Sequence, residues 1–199
     1  MFRQVVDLAY LKSAVVCRNE VGEIVRQYDS LDKSHFRFAA EIARTALDPE
    51  CEATFFEDVP HGIKSLYQVK PVLKFQGVII LACHKSLDQL YSVNPSTWME
   101  DFPGVQRVPK EISKGMTKSQ TDKWRIAKAA EHALDRGYTP PDLVAEWIES
   151  HPDQKPLQKH LEPLRKSMTD YVSAFLMSEY LSAYNLQDFP FQGVELAQI

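Results

Sequence analysis

Val72-Leu73-Lys74-Phe75-Gln76-Gly77-Val78-Ile79-Ile80-Leu81-Ala82-Cys83 is the stretch on which the fold turns. It is rich in β-branched residues, and Val78–Cys83 is the longest purely apolar run in the chain. The run is far shorter than the ~20 residues a membrane span needs. It reads as a buried strand, too apolar for a water-facing edge, with Gly77 as a bulge. A sheet therefore belongs in the first half of the molecule.

Working outward, residues 2–11 read as a short helix, with Phe2, Val5, Val6 and Ala9 on one side. Ala14–Cys17 and Glu23–Tyr28 flank a Gly22-containing loop and read as a hairpin; a continuous helix across 2–28 is the rival. Ser34 is placed to cap a helix carrying Phe36, Ala39, Ala40, Ala43 and Leu47, which Asp48-Pro49 stops. Ala53–Phe56 reads as a strand, Val59–Gly62 as a turn, and Ser86–Val93 as a helix.

Beyond the Pro-rich stretch 94–110 the chain reads as helix. Residues 117–135 carry an apolar stripe, and Gly137 ends them. Thr139-Pro140 opens a second helix, and Pro163 begins a last one running to Tyr184. The expectation is an α+β protein. Residues 1–105 form a small mixed sheet with helices, 110–184 a predominantly helical subdomain, and 185–199 a C-terminal tail.

Composition bounds function only loosely. The 199 residues are 44% apolar and 25% charged, as in ordinary globular proteins, and the net charge is −4. Attraction to nucleic acid must then be local. Residues 106–167 hold 12 Lys and Arg against 9 Asp and Glu, whereas 168–199 hold no Lys or Arg and 4 acids. Three widely spaced cysteines, Cys17, Cys51 and Cys83, form no CxxC pair and read as buried thiols in a reducing compartment. Arg3, Asp7 and Lys12 interrupt any secretion signal, so a cytoplasmic location without membrane contact is expected. Walker A, GxGxxG, GxSxG and EF-hand patterns are all missing, and no cofactor is indicated.

The main functional expectation is an accessory or regulatory protein that binds DNA or RNA through basic helices in 118–166. Lys155, Gln158, Lys159, His160, Arg165 and Lys166 are its phosphate or base contacts. Ala133-x-x-x-Gly137, with Val144 and Trp147 following, resembles the helix-turn-helix unit, which would make Gln154–Glu162 the recognition segment. Leu164, Met168, Tyr171, Val172, Phe175, Leu176 and Leu181 form a broad apolar face. The alternative is thus a protein-binding module or inhibitor, meeting a partner or itself through 164–184.

Nuclease chemistry is the third expectation. Arg125 and His132 have a spacing that resembles HEPN-type ribonucleases. That resemblance implies His132 as general base and Arg125 as stabiliser of phosphate charge. The acids Glu57-Asp58 and Glu50/Glu52 are of the type that holds Mg²⁺ in metal-dependent nucleases. Pro152-Asp153-Gln154-Lys155 resembles the start of a PD-(D/E)xK core. His132, His151, His160 and Glu131 could supply zinc ligands, but no pair has the spacing of one helix face, so no metal site is assigned. Cys83-His84 is a thiolate–imidazole candidate whose members point to opposite faces of a strand.

Overall fold

The computed structural model describes residues 1–8, 13–31, 33–58, 66–83, 89–184 and 186. Its elements run β1 (Phe2–Leu8), β2 (Ser13–Asn19), β3 (Ile24–Asp29), α1 (His35–Ala46), β4 (Cys51–Glu57), α2 (Leu66–Ala82), β5 (Leu90–Val93), α3 (Pro95–Glu100), α4 (Lys110–Ser113), α5 (Lys118–Asp135), α6 (Leu143–Ser150) and α7 (Gln158–Ser182). The fold is α+β, with a five-stranded mixed sheet in the order β3-β2-β1-β4-β5. β1 is antiparallel to β2 and parallel to β4; β2–β3 is antiparallel and β4–β5 parallel.

The hairpin forms as its sequence suggests. Gly22 takes φ +89°, which a residue with a Cβ rarely adopts, and Asn19 Oδ1 accepts from the Glu23 backbone N–H at 2.8 Å. Ser34 Oγ accepts from Arg37 N at 3.3 Å and starts α1. Thr117 and Gln120 form a capping box at the head of α5. Gly137, at φ +76°, ends that helix.

Five local readings are corrected. Residues 2–8 are the central strand, not a helix. Their side chains alternate between two buried faces, so the apolar pattern is nearly continuous. Residues 72–82 are helix, not strand. Phe75, Ile79 and Cys83, four apart, are buried in the core beneath α1 and α2, while Leu73 and Leu81 are 51% and 73% exposed. The place beside β4 is filled by β5, so Leu90–Val93 is strand rather than helix. Finally, α6 is capped by Asp142, whose Oδ1 accepts from Ala145 N, not by Thr139. Pro163 lies inside α7, in its second turn. It removes one backbone bond, and the burial of the residues that follow holds the helix together.

The sheet has helices on both faces. Val6, Val15, Cys17 and Phe56 meet α1 and α2 through Phe38, Ile42, Phe75 and Ile79. Val5, Val16, Ala53 and Phe55 meet Trp98, Phe102, Ala129, Ala133 and the inner face of α7. This second core joins residues from both halves of the sequence. α7 lies directly on β1 and β2. Its apolar face, with Tyr171, Val172, Phe175, Leu176 and Leu181 each no more than 5% exposed, seals the protein's own sheet. The 164–184 surface expected to meet a partner is therefore occupied. Of the expected tail, 185–199, only Leu186 is among the described residues, and the Val59–Gly62 turn and His84 also lie outside them. All three cysteines are buried free thiols, and among the described residues no helix is long and apolar enough to cross a membrane.

Candidate active site

Strand register lines up one row of residues across the sheet. Asp29 on β3 pairs with Ala14 on β2, and Ala14 pairs with Asp7 on β1. Val6 pairs with Phe56, so the next step along the parallel pair sets Asp7 beside Glu57, the last residue of β4. Side chains at these positions share the face that carries α7, because Val5 and Phe55, two residues earlier, lie in the α7 core. The carboxyl ends of neighbouring parallel strands are where α/β sheets commonly place ligands.

α7 crosses this row. Lys166, Ser167, Asp170 and Ser173 follow helical spacing and face it. Lys166 Nζ donates to Asp170 Oδ1. Ser167 Oγ donates to Asp29 Oδ2 at 3.0 Å, and Ser173 hydrogen-bonds Asp7. From α3, the buried Trp98 donates its Nε1–H to Glu57 Oε1 at 3.1 Å. From α2, Gln76 Nε2 donates to the Glu57 carbonyl at 3.2 Å.

The electrostatics are those of crowded, desolvated acids. Burial pushes Asp7 well above the ordinary carboxylate range, and the neighbouring Glu57 raises it further. Burial lifts Glu57 to about 7, against the hydrogen bonds from Asp7 and Trp98. Burial and Asp7 lift Asp170 to about 8, although Lys166 pulls the other way. For Lys166, burial acts to lower the ammonium, but Asp170, Asp7 and Glu57 outweigh it and hold it above its ordinary value. Asp170 is 2% exposed, and its Oδ2 has no hydrogen-bond partner. Such an atom is costly to leave unpaired.

Three oxygen-donor acids suit a hard cation such as Mg²⁺ or Mn²⁺. The unpartnered Asp170 Oδ2 is a ligand atom ready for one. Among the described residues no three His, Cys, Asp or Glu side chains are yet gathered around a single point. The Asp7–Glu57 hydrogen bond and the Lys166–Asp170 pair hold their oxygens instead. The fit is therefore one of donor chemistry and placement.

The sequence-derived candidates distribute differently. Lys155, Gln158, Lys159 and Arg165 are exposed at the head of α7 and just before it. Lys166 instead turns its ammonium into the acid cluster. His160 and His151 both stack on Trp147, with ring centroids 5.1 and 4.6 Å away, which accounts for both histidines as packing partners. Gln154–Glu162 is not a separate recognition helix, because Gln158–Glu162 is the beginning of α7. Asp153 and Lys155 lie in the connection before α7, not on the strand a PD-(D/E)xK core requires. Arg125 Nε donates to the Val105 carbonyl at 2.7 Å, and His132 Nε2 is 2.9 Å from the Pro103 carbonyl. Both tie the 102–105 turn to α5 and stand apart from the acids.

Sequence reasoning noticed Glu57 only as half of Glu57-Asp58, and missed Asp7 and Asp170. The available signals were an acid inside the apolar run Val5-Val6-Asp7-Leu8, and an acid on the buried stripe of the last helix.

No family model and no curated protein matches this sequence. Solved structures with a similar course include RuvC of Thermus thermophilus in complex with a Holliday junction substrate, at 11% identity and TM-score 0.42, covering 69% of this chain and 96% of that one. Another Thermus thermophilus RuvC structure aligns at 12% identity and TM-score 0.46, over 92% of this chain and 96% of the other. A Fowlpox virus resolvase with substrate Holliday junction DNA aligns at 13% identity and TM-score 0.44, over 93% and 100%. Similarity at this level carries no weight for the chemistry, which rests on the carboxylates.

Proposed function

We propose that the protein is a divalent-cation-dependent phosphodiesterase that cleaves nucleic acid, with Asp7, Glu57 and Asp170 as the cation ligands. The observation that carries this reading is the acid trio of Asp7 and Glu57, at the ends of β1 and β4, with Asp170 on α7, whose Oδ2 is buried and unpartnered. Three desolvated acids cost stability, and proteins keep such strain where a bound cation relieves it.

When bound, such an ion polarises a phosphoryl oxygen and activates water for hydrolysis. The protein's own groups do the rest. Trp98 fixes one oxygen of Glu57, and Gln76 holds the Glu57 backbone from the opposite face of the sheet. Ser167 and Ser173 tether Asp29 and Asp7 beneath α7.

A polymeric substrate is favoured by the exposed cations that precede Asp170 along α7. Lys159 and Arg165 precede Asp170 by ~16 and ~7 Å of helix rise, a span of successive phosphates along a strand. Lys155, Lys159 and Arg165 then act as backbone clamps, joining the expected basic surface to the acids. This departs from the expectation of a non-enzymatic binder without metal.

Labelled single-stranded, duplex and branched DNA, and RNA, incubated with Mg²⁺ or Mn²⁺ and with excess EDTA, test the proposal. Cleavage with either metal that EDTA abolishes is expected. Intact substrates throughout would overturn it.

A further inference from the structure

One side of α5 packs inward. Ala129 and Ala133 lie in the core shared with α7, and Arg125 and His132 tie to the 102–105 turn. The opposite side is apolar as well. Ile126 and Leu134 are 47% and 64% exposed, and Ala127 and Ala130 between them are exposed too. Ile126, Ala130 and Leu134 are spaced by four residues, so they form one row along the helix. A surface helix ordinarily turns polar residues to water on that side.

The row is complementary to itself. It reads large, small, large about Ala130. Laid antiparallel on a second copy with Ala130 at a two-fold axis, Ile126 of each chain faces Leu134 of the other, and the alanines let the helix axes approach. The flanking charges match in the same register. Lys123 is exposed just before the row, and Asp135 is exposed directly after Leu134. Neither has an ion-pair partner among the described residues, whereas Asp122 pairs with Arg125, and Lys128 with Glu131, inside α5. The antiparallel register brings Lys123 of one copy near Asp135 of the other, twice by symmetry. A parallel register would set like charges together. The acids Glu131 and Asp135 beside the row disfavour a phosphate backbone as its occupant.

We propose that this face of α5 joins two copies of the chain as an antiparallel, two-fold symmetric dimer with Ala130 at its axis. The dimer stands apart from the acid trio and does not depend on it. From Ile126 to Leu134 the row spans ~12 Å of helix rise. That is a small patch beside a standard interface, so association in the micromolar range is expected.

Sedimentation equilibrium of the full chain, from low micromolar to near millimolar concentration, tests this. Wild type is expected to pass from the mass of one chain to that of two. Leu134→Lys, at an exposed position, should remain a monomer throughout and keep its melting temperature. Asp135→Lys, which sets lysines against one another, should weaken the dimer about tenfold. Lys123→Asp combined with Asp135→Lys should restore it. Wild type that stays a monomer at every concentration overturns the proposal. So does a dimer that Leu134→Lys leaves intact, or one that the double exchange fails to restore.

Discussion

Asp7 and Glu57 stand side by side at the ends of two parallel strands and share a hydrogen bond, although both are acids. Burial raises both, and Glu57 raises Asp7 further while the hydrogen bond from Asp7 lowers Glu57, so the pair retains a proton well into the neutral range. A folded state that holds protons the unfolded chain releases loses stability as pH rises. In EDTA, the melting temperature should fall between about pH 5 and pH 8, by on the order of a few kcal/mol in stability. Mg²⁺ should restore it at the alkaline end. Scanning calorimetry across pH measures this, and a melting temperature that climbs over that window would contradict it.

The repulsion of Asp7 by Glu57 makes Asp7→Asn a stabilising change. The amide can still donate to Glu57 but carries no charge. In EDTA at about pH 8, a gain of ~1 kcal/mol, or ~2–4 °C in a chain of this size, is expected. Chemical denaturation of the variant beside wild type checks the sign; a clear loss of stability would mean that the two acids do not strain one another.

Trp98 tunes Glu57 through its indole N–H. That bond favours the charged carboxylate, so Trp98→Phe should shift the pH dependence of Mn²⁺ binding upward, by up to ~1 unit. Titrations at a series of pH values read the shift directly. An unmoved profile would show that the bond has no part in tuning the site.

Two glycines test the fold in opposite directions. Gly77 lies in α2 with open space around it, so Gly77→Ala should stabilise by ~0.5–1 kcal/mol, as it would in a helix. Gly104 has φ +89°, and a Cβ there would sit 2.7 Å from the Trp124 ring, so Gly104→Ala should destabilise by ~1–3 kcal/mol. Urea denaturation of both variants checks the pair; a destabilised Gly77→Ala would return residues 72–83 to a sheet.

His132 and Arg125 are anchors of the same turn. His132→Ala should lower stability by ~1 kcal/mol, because the Pro103 carbonyl loses its partner. It should leave metal-dependent cleavage per folded molecule unchanged. A variant that folds normally but cannot cleave would restore the histidine as a catalytic residue.

The elements that were legible from sequence are those whose signals are local. Ser34, Gly22, the Thr117 region and Gly137 mark caps and turns that depend on a few neighbouring residues. Residues 72–83 were misread because the segment is apolar around most of its circumference, so periodicity could not separate helix from strand. β1 was misread because a strand buried on both faces loses its alternation. The acid trio was hidden for a different reason. Asp7, Glu57 and Asp170 meet only through the β1–β4 register and the crossing of α7, and no spacing along the chain reports either. Lys166 was singled out as a contact for phosphate, and its place among the acids likewise required the crossing to be seen.

Single-turnover cleavage of labelled nucleic acid in Mn²⁺, wild type against Asp7→Asn, is the most direct measurement of the central claim. The variant should fold at least as stably as wild type and yet cleave about a hundredfold more slowly or worse, a loss at least as large as outer-shell changes at metal sites cause. Equal rates for the two proteins would contradict the assignment of the acid trio as the active site.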